Sequence, residues 1–332
     1  MHKEQRTKDK GQKTILKTAA IGVGSLGRHH ARIHRALAAT GKTEFVGVCD
    51  ADEQTAQAIA REHDAEYFTD WRDLIEKVDA VSIATPTETH ARIAVEFLKR
   101  GVHVLVEKPI ARTLQEADRM IDAAAKSGAK LMVGQLERFN PAIIALRPHV
   151  ARPLYFEIHR ISPFPARSLD VDVVLDVMIH DLDMIAWFVK DEIAEIHAVG
   201  IPILTDKVDA ANVRLEFKNG AVANITASRV GVEKIRKMRF YQQNAYVAVD
   251  YVTKYAALTS LAPGAENPLF GIKINRLEIS DIEPLRAEIE AFVDAIIADK
   301  TPPVTGADGR LALSLALGVL DKIERHRSRL QF

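Results

Sequence analysis

The chain has 332 residues, of which 47% are hydrophobic and 27% are charged, and its formal net charge at pH 7 is zero. This length predicts two domains, and the composition is that of a globular protein with enough apolar surface for packed cores. A balanced charge provides no general attraction to nucleic acid or to anionic membranes, so we expect a small-molecule partner. The single Cys49 excludes an internal disulfide, and its apolar surroundings predict a buried, unreactive thiol.

The N-terminal residues 1–16 are polar and lack the apolar stretch of a secretory signal, so we expect a polar tail. No apolar run elsewhere approaches the length needed to span a bilayer. These features predict a cytoplasmic protein that does not bind membranes.

Apolar runs alternate with amphipathic segments between residues 17 and 138. The runs cover residues 18–23, 44–49, 80–84, 102–106 and 130–133, and the helical segments cover residues 26–39, 53–62, 89–99 and 114–126. Apolar strands separated by helices are typical of a parallel sheet that is covered on both faces. We therefore predict an α/β domain with a doubly wound parallel sheet.

The pattern changes after residue 138. A helix is predicted over residues 173–189, alternating strands over residues 213–217, 221–228, 235–241, 246–251 and 271–279, and closing helices over residues 285–298 and 308–325. Asn219-Gly220 separates two of these strands, which is a strong hairpin signal. We predict that residues 139–332 form an α+β domain with an open, mostly antiparallel sheet.

A glycine motif, Gly22-Val23-Gly24-Ser25-Leu26-Gly27, follows the first strand and opens the first helix. Glycines at this spacing permit a tight turn, a close approach of backbone to a pyrophosphate, and close packing of helix on strand. The helix N-terminus adds N–H groups and a positive dipole end. The motif predicts a Rossmann-type dinucleotide site, with Ser25 and Leu26 beside the three glycines.

Asp50 ends the second predicted strand, where a carboxylate can accept hydrogen bonds from the adenosine ribose and would repel a 2′-phosphate. This position favours NAD over NADP. The alternative is a capping role for the helix that begins near Asp52, and the two roles are compatible.

Two further segments follow strands of the parallel sheet, where ligands of such sheets bind. Thr85, Pro86 and His90 follow one strand, and we predict a cofactor contact there; the alternative is a proline-led turn that starts a helix. Glu107 and Lys108 end the next strand, in the sequence Glu107-Lys108-Pro109. A lysine here can donate to a substrate oxygen and stabilise an alkoxide, although lysines that end strands are usually solvated.

Asp176, His180 and Asp183 are spaced by four and three residues in an otherwise apolar helical segment, so we expect them to share one face. A histidine beside carboxylates has a ready role as a base. A hydrogen-bonded core network is one alternative. A metal is another, but one histidine and two aspartates give little support for zinc, and we predict no metal.

Two arginines, Arg160 and Arg167, lie just before this helix and could bind an anionic substrate group. Residues 234–239 are also basic, but strand alternation suggests a solvated sheet face, with a phosphate contact as the lesser alternative.

Taken together, these stretches resemble the Gfo/Idh/MocA family of sugar and polyol oxidoreductases. The matching motifs are the glycine loop, Thr85-Pro86 with His90, Glu107-Lys108-Pro109, Arg138-Phe139-Asn140-Pro141, and Asp176, His180 and Asp183. The resemblance implies NAD contacts at Glu107, Lys108 and Asn140. It further implies Lys108 and His180 at the reacting hydroxyl, with Asp176 orienting substrate and Asp183 supporting the site. It also implies a homodimer or homotetramer that is formed through the C-terminal sheet.

One departure concerns Leu175-Asp176-Val177-Met178, where members often carry glycines, and it points to a subgroup. Residues 161–172 look most like members that oxidise nucleotide sugars, of the UDP-N-acetylglucosamine 3-dehydrogenase type. The expected function is oxidation of a sugar hydroxyl by NAD. The alternatives are an inositol or monosaccharide dehydrogenase and a non-catalytic regulator that senses NAD on the same fold.

Overall fold

The computed structural model describes residues 15–164, 171–262 and 271–329, and two sheets organise them. The first sheet contains β1 (Leu16–Ile21), β2 (Thr43–Cys49), β3 (Glu66–Phe68), β4 (Ala80–Ile83), β5 (His103–Glu107) and β6 (Leu131–Gly134). Its strand order is β3-β2-β1-β4-β5-β6, and every pair is parallel. The helices between the strands are α1 (Gly27–Ala39), α2 (Glu53–His63), α3 (Thr87–Lys99) and α4 (Leu114–Ser127). The predicted doubly wound sheet is confirmed.

The sequence did not reveal β3, because only Phe68 of its three residues is buried and no apolar run marks it. The Cys49 thiol is buried at the end of β2, and this burial raises its pKa to about 12. A thiol that stays protonated at neutral pH is unreactive, as we expected.

The second sheet has eight strands in the order β14-β13-β12-β11-β7-β10-β9-β8. They are β7 (Pro153–Ile161), β8 (Ile193–Ile201), β9 (Ala210–Phe217), β10 (Val222–Ser228), β11 (Ile235–Gln242), β12 (Ala245–Asp250), β13 (Tyr255–Leu261) and β14 (Ile272–Arg276). All neighbours are antiparallel except β7 and β10. The predicted hairpin joins β9 to β10, and Gly220 supplies its left-handed residue with φ of +85°. This open, mostly antiparallel sheet confirms the second part of the fold prediction.

The described residues of the second half also form α5 (Pro141–Leu146), α6 (Ile179–Val189), α7 (Pro284–Ile297) and α8 (Gly306–Arg327). The helix that we predicted over residues 173–189 is α6 preceded by a π-helical turn, Val174–Met178. Among the described helices, none is long and apolar enough to cross a membrane.

The inner face of the second sheet packs against α6 and α8. Its core contains Phe156, Ile158, Leu182, Ile185, Met238, Phe240, Leu315 and Val319. By contrast, α7 packs Ile289, Phe292 and Val293 into the core of the parallel sheet. The C-terminal part of the chain therefore completes the core of the N-terminal sheet.

The buried imidazole of His34 on α1 makes stability depend on pH. It stacks on Phe45 and shares a hydrogen bond of 3.1 Å with the Ser82 hydroxyl. Burial, and then the neighbouring His30, lower its pKa from 6.5 to about 3. Between pH 6.5 and about pH 3, the folded chain therefore keeps His34 neutral, whereas the unfolded chain protonates it. The contribution of the neutral ring to the free energy of unfolding is complete above pH 6.5 and declines as the pH falls toward 3.

We expect His34→Gln to remove this acid sensitivity. Between pH 8 and pH 5, the free energy of unfolding should fall by about 2 kcal/mol less in the variant than in the wild type. Urea unfolding at both pH values measures the difference. His29→Gln, on the exposed face of the same helix, is the matched control. An equal pH dependence of His34→Gln and wild type would contradict the prediction.

Candidate active site

The glycine loop at the end of β1 has the geometry of a pyrophosphate cradle. A Cβ atom at Gly22 would lie 2.6 Å from the Thr85 side chain, and one at Gly27 would lie 1.6 Å from the Gly22 carbonyl oxygen. Gly24 has no other atom within 4 Å of its Cβ position, which leaves room for a ligand. Because α1 begins at Gly27, its N-terminal N–H groups point toward this space. Ser25 and Leu26 are exposed within the same loop.

Asp50 holds the glycine loop against the end of β2. One carboxylate oxygen accepts a hydrogen bond of 2.8 Å from the Val23 N–H, and the other accepts one of 3.0 Å from the Asp52 N–H. Capping of α2 is performed by Asp52, which accepts from the Gln54 N–H at 3.1 Å. Asp50 is therefore free of the capping role and lies beside the loop, and no basic residue follows it before α2. This arrangement fits the adenosine ribose of NAD.

His90 does not reach the cofactor space, which corrects our expectation. It is buried on α3, where its ring nitrogens lie 3.0 Å from the Pro109 carbonyl oxygen and 2.8 Å from that of Thr85. Burial lowers its pKa. The ring thus ties together the loops that follow β4 and β5. Thr85 itself lines the cavity described next, while Pro86 is the exposed cap residue of α3.

A cavity of about 420 Å³ opens at the carboxyl ends of β4 and β5 and is closed on the other side by the second sheet. Its polar and charged lining residues are Thr85, Thr87, Glu107, Lys108, Glu137, Arg160, Asp176, His180 and Arg236. Leu26 of the glycine loop also lines it, so the cavity continues the cofactor space.

Lys108 and Asp176 meet in this cavity. The Lys108 ammonium donates to the Asp176 carbonyl oxygen at 2.6 Å and lies 3.2 Å from its carboxylate. Lys108 precedes a cis peptide bond to Pro109. Both side chains are partly buried, so the pair is accessible to a ligand and still shielded from bulk water.

His180 lies beside this pair at the start of α6. Burial lowers the pKa of its imidazole well below 6.5, and the nearby cations Lys108, Arg160 and Arg236 lower it further. The ring is therefore neutral at pH 7 and can accept a proton. Its Nδ1 atom is buried and has no hydrogen-bond partner among the described residues. Nor do the described histidines, cysteines and acidic residues form any group of three that could hold a metal ion.

Asp183 does not line the cavity, contrary to the expectation of a substrate contact. Its two carboxylate oxygens each accept a hydrogen bond of 2.7 Å from the buried guanidinium of Arg138. Arg138 also donates to Asp308 at 3.2 Å. A substrate would have to break a buried ion pair to use Asp183, so this residue supports the site from behind.

Arg160 lines the cavity, but its guanidinium is already engaged. It makes a two-point contact with Asp181 at 2.8 and 2.7 Å and a third contact with Glu137 at 2.8 Å. A substrate anion would have to share this guanidinium with the two carboxylates, and the expected role of Arg160 stays a prediction. Arg167 lies outside the described residues.

Asn140 and Glu107 also have partners within the protein. Asn140 accepts from the Ala142 N–H at 3.1 Å and donates to Glu137 at 3.2 Å, so it caps α5 and is not part of the cavity. Contact of Asn140 with NAD stays a prediction. Glu107 does line the cavity. Its carboxylate lies 3.0 Å from a ring nitrogen of the buried His30.

Two charged cavity residues were not identified from the sequence as site residues. Glu137 was hidden in a short 3₁₀ turn that no periodicity predicts. Arg236 was assigned to a solvated face, yet it has the same strand parity as Met238 and Phe240, which point into the core. This shared parity is the sequence signal that would have placed Arg236 on the inner face.

The glycine cradle, the parallel sheet and the charged cavity at its carboxyl edge together define an oxidoreductase that binds NAD. Family models agree: residues 16–135 match the Gfo/Idh/MocA oxidoreductase family with its NAD-binding Rossmann fold, and residues 152–247 match a C-terminal domain of that family. The chain belongs to the Gfo/Idh/MocA family.

Similar proteins include characterised dehydrogenases. UDP-N-acetylglucosamine 3-dehydrogenase of Acidithiobacillus ferrooxidans is 37% identical over 310 residues, which cover 93% of this chain and 97% of that protein. Its solved structure superimposes with a TM-score of 0.87, covering 93% of this chain and 98% of that one. Myo-inositol 2-dehydrogenase of Thermotoga maritima is 26% identical over 334 residues, covering 94% and 98% of the two chains. Levoglucosan dehydrogenase, solved with NADH and levoglucosan, shares the fold at 21% identity and a TM-score of 0.83, covering 93% and 97%.

The glycine loop predicts two different outcomes for two alanine substitutions. Gly24→Ala should fold with an unchanged Tm but lose at least tenfold in NADH affinity, because its methyl group enters the open ligand space. Gly27→Ala should lower the Tm, because its methyl group collides with the Gly22 backbone. Fluorescence titration with NADH and thermal melts separate the two effects. Normal NADH binding by Gly24→Ala would contradict the cradle assignment.

The Arg138–Asp183 pair predicts a loss of stability rather than of substrate affinity. Asp183→Asn removes the two-point charge partner of the buried Arg138 guanidinium and leaves only its single contact with Asp308, so we expect unfolding to cost about 3–5 kcal/mol less. Asp321→Asn, in an exposed pair with Arg325, is the control and should change stability by less than about 1 kcal/mol. Urea unfolding and the KM of the substrate are the measurements. A raised KM with normal stability would restore the substrate role of Asp183.

Proposed function

We propose that this protein oxidises a sugar hydroxyl of a nucleotide sugar to a ketone, in the manner of C3 oxidation of UDP-N-acetylglucosamine. The observation that carries the proposal is the convergence of Lys108, Asp176 and His180 in one cavity at the carboxyl edge of the NAD-binding sheet. Two of these groups can act on a hydroxyl, one as a hydrogen-bond donor and one as a base.

In this mechanism the substrate hydroxyl binds between the Lys108 ammonium and the His180 ring. His180, neutral because burial and nearby cations lower its pKa, accepts the hydroxyl proton. Lys108 stabilises the negative charge that develops on the oxygen, and Asp176 holds the ammonium in place. Bound NAD supplies the hydride acceptor, so the C–H electron pair leaves the substrate carbon as the carbonyl forms.

A nucleotide sugar is favoured over a free polyol by two observations. The relative that acts on UDP-N-acetylglucosamine is 37% identical over nearly the whole chain, against 26% for the myo-inositol enzyme. The cavity also contains Arg236, a cation that forms no ion pair with any residue the structure describes. A non-catalytic regulator would have no need to keep Lys108, Asp176 and His180 together, so we favour an enzyme.

The proposal includes the domain roles and the assembly. Residues 17–138 would bind NAD and residues 139–332 would bind substrate and form the contact in a homodimer or homotetramer. The outer face of the second sheet supports this contact, because Tyr155, Tyr241 and Tyr246 stack there with ring centroids 5.4 and 5.0 Å apart. On the edge strand β14, Ile272 and Ile274 are exposed.

The substrate class can be tested on the purified protein. NADH absorbance and thermal shift would be measured with UDP-N-acetylglucosamine, UDP-glucose, myo-inositol and glucose, each with NAD or NADP. NADH formation confined to a UDP sugar supports the proposal. Turnover of inositol or glucose alone would move the function to polyol or monosaccharide oxidation. NAD binding with no turnover of any of them would favour the regulator.

The two reacting side chains predict large losses of turnover with intact folding. His180→Ala should lower kcat about 10²- to 10⁴-fold, because the proton acceptor is lost. Lys108→Ala should lower it about 10²- to 10³-fold, because the alkoxide loses its donor. His197→Ala and Lys99→Ala, both exposed, are the controls. Near-normal kcat in both site variants, with normal NADH affinity and Tm, would refute the mechanism.

A further inference from the structure

Arg236 occupies an unusual place on the inner face of the second sheet. It lies on β11 directly opposite Arg160 of β7, so two guanidinium groups face each other across neighbouring strands. Both line the cavity that contains Lys108 and His180. Like charges at directly opposed positions of a sheet are destabilising, so this pairing requires a compensating interaction.

Each cation that lines the cavity has a carboxylate partner among the described residues, with the exception of Arg236. Arg160 contacts Asp181 and Glu137, and Lys108 contacts Asp176. The guanidinium of Arg236 makes no hydrogen bond or ion pair within the described parts of the chain, although it is partly buried. Burial and the adjacent Arg160 lower its pKa, and the carboxylates of Glu137, Asp181 and Asp176, which do not contact it, offset this only in part. An unpaired, partly desolvated guanidinium beside another cation therefore provides a site for an anion.

The position of Arg236 in the cavity indicates which anion it would bind. The pyrophosphate of NAD belongs at the glycine loop on the opposite sheet, where Gly24 leaves space for it. Arg236 instead lies on the substrate side of the cavity and is close enough to His180 to influence its titration. A planar guanidinium with free N–H groups matches the oxygens of a phosphoryl group in a two-point contact.

We propose that Arg236 is a specificity residue that binds the diphosphate of the nucleotide-sugar substrate. This inference rests on the proposed function and extends it to one side chain. Arg160 contributes by fixing the geometry, since its own carboxylate partners prevent it from competing for the phosphate. Discrimination against inositol and free sugars then follows, because those substrates leave Arg236 unpaired.

The test compares Arg236→Gln with Arg236→Lys and with Arg239→Gln, an exposed arginine on the outer face of the same strand. Calorimetry gives the Kd of UDP and of inorganic pyrophosphate in the presence of saturating NADH. We expect Arg236→Gln to weaken UDP binding about 10- to 100-fold, Arg236→Lys to recover part of this loss, and Arg239→Gln to match wild type within about twofold. In turnover, the loss should be seen in KM and not in kcat.

Thermal stability separates a binding role from a structural one. Removing an unpaired cation that repels Arg160 should leave the Tm of ligand-free Arg236→Gln equal to or above that of wild type. A lowered Tm with unchanged UDP affinity would overturn the proposal. So would a loss of NADH affinity parallel to the loss of UDP affinity, because the anion would then belong to the cofactor.

Two further outcomes separate this inference from the function on which it rests. If the binding of glucuronate depended on Arg236 and the binding of UDP did not, the anion that Arg236 binds would be a sugar carboxylate, and the proposed diphosphate contact would be wrong. Arg236-dependent binding of UDP without turnover of any UDP sugar would refute the proposed reaction and support the binding role. Turnover of a UDP sugar with a KM that does not change in Arg236→Gln would refute the binding role alone.

Discussion

Two buried arginine–aspartate pairs hold the helix that carries His180. Asp181 is bound by Arg160 of β7, and Asp183 is bound by Arg138, which follows β6. Burying four charges is costly, and the cost is offset here because each pair makes two-point hydrogen bonds with good geometry. Arg160 belongs to the second sheet, and Arg138 lies in the 3₁₀ turn that follows the last strand of the parallel sheet, so α6 is tied to both sheets. His180 directly precedes Asp181, so the two ion pairs fix the first turn of α6, on which His180 lies.

This constraint determines how the two halves of the site meet. Lys108 extends from the end of β5, whereas Asp176 comes from the π-helical turn that leads into α6. Their 2.6 Å contact through the Asp176 carbonyl requires the turn to stand at a fixed distance from the parallel sheet. Because one ion pair anchors α6 to each sheet, a ligand that enters the cavity meets side chains already in position. Such preorganisation is what a hydride-transfer site needs.

The sequence predicted the architecture and the three groups that meet in the cavity. Lys108 could be placed because the carboxyl ends of parallel strands share one edge, and His180 because an apolar helix rarely carries a charged stripe without reason. The sequence could not show which polar side chains would form their hydrogen bonds within the protein. His90, Asn140 and Asp183 each looked available, but backbone carbonyls, a helix end and a buried arginine engage them. Those partners lie far away in the sequence or depend on local turns, and no periodicity reports them.

The packing of α7 has a consequence for synthesis on the ribosome. All six strands of the parallel sheet have been translated by Gly134, but Phe292, Val293 and Leu313 of its core emerge much later. At ordinary rates of translation, roughly 10–40 s separate the two events. During this interval the nascent sheet exposes the apolar surface that α7 later covers. A nearly complete nucleotide-binding sheet therefore stays open to non-native association until α7 emerges, and chaperones that cover this surface would favour correct folding.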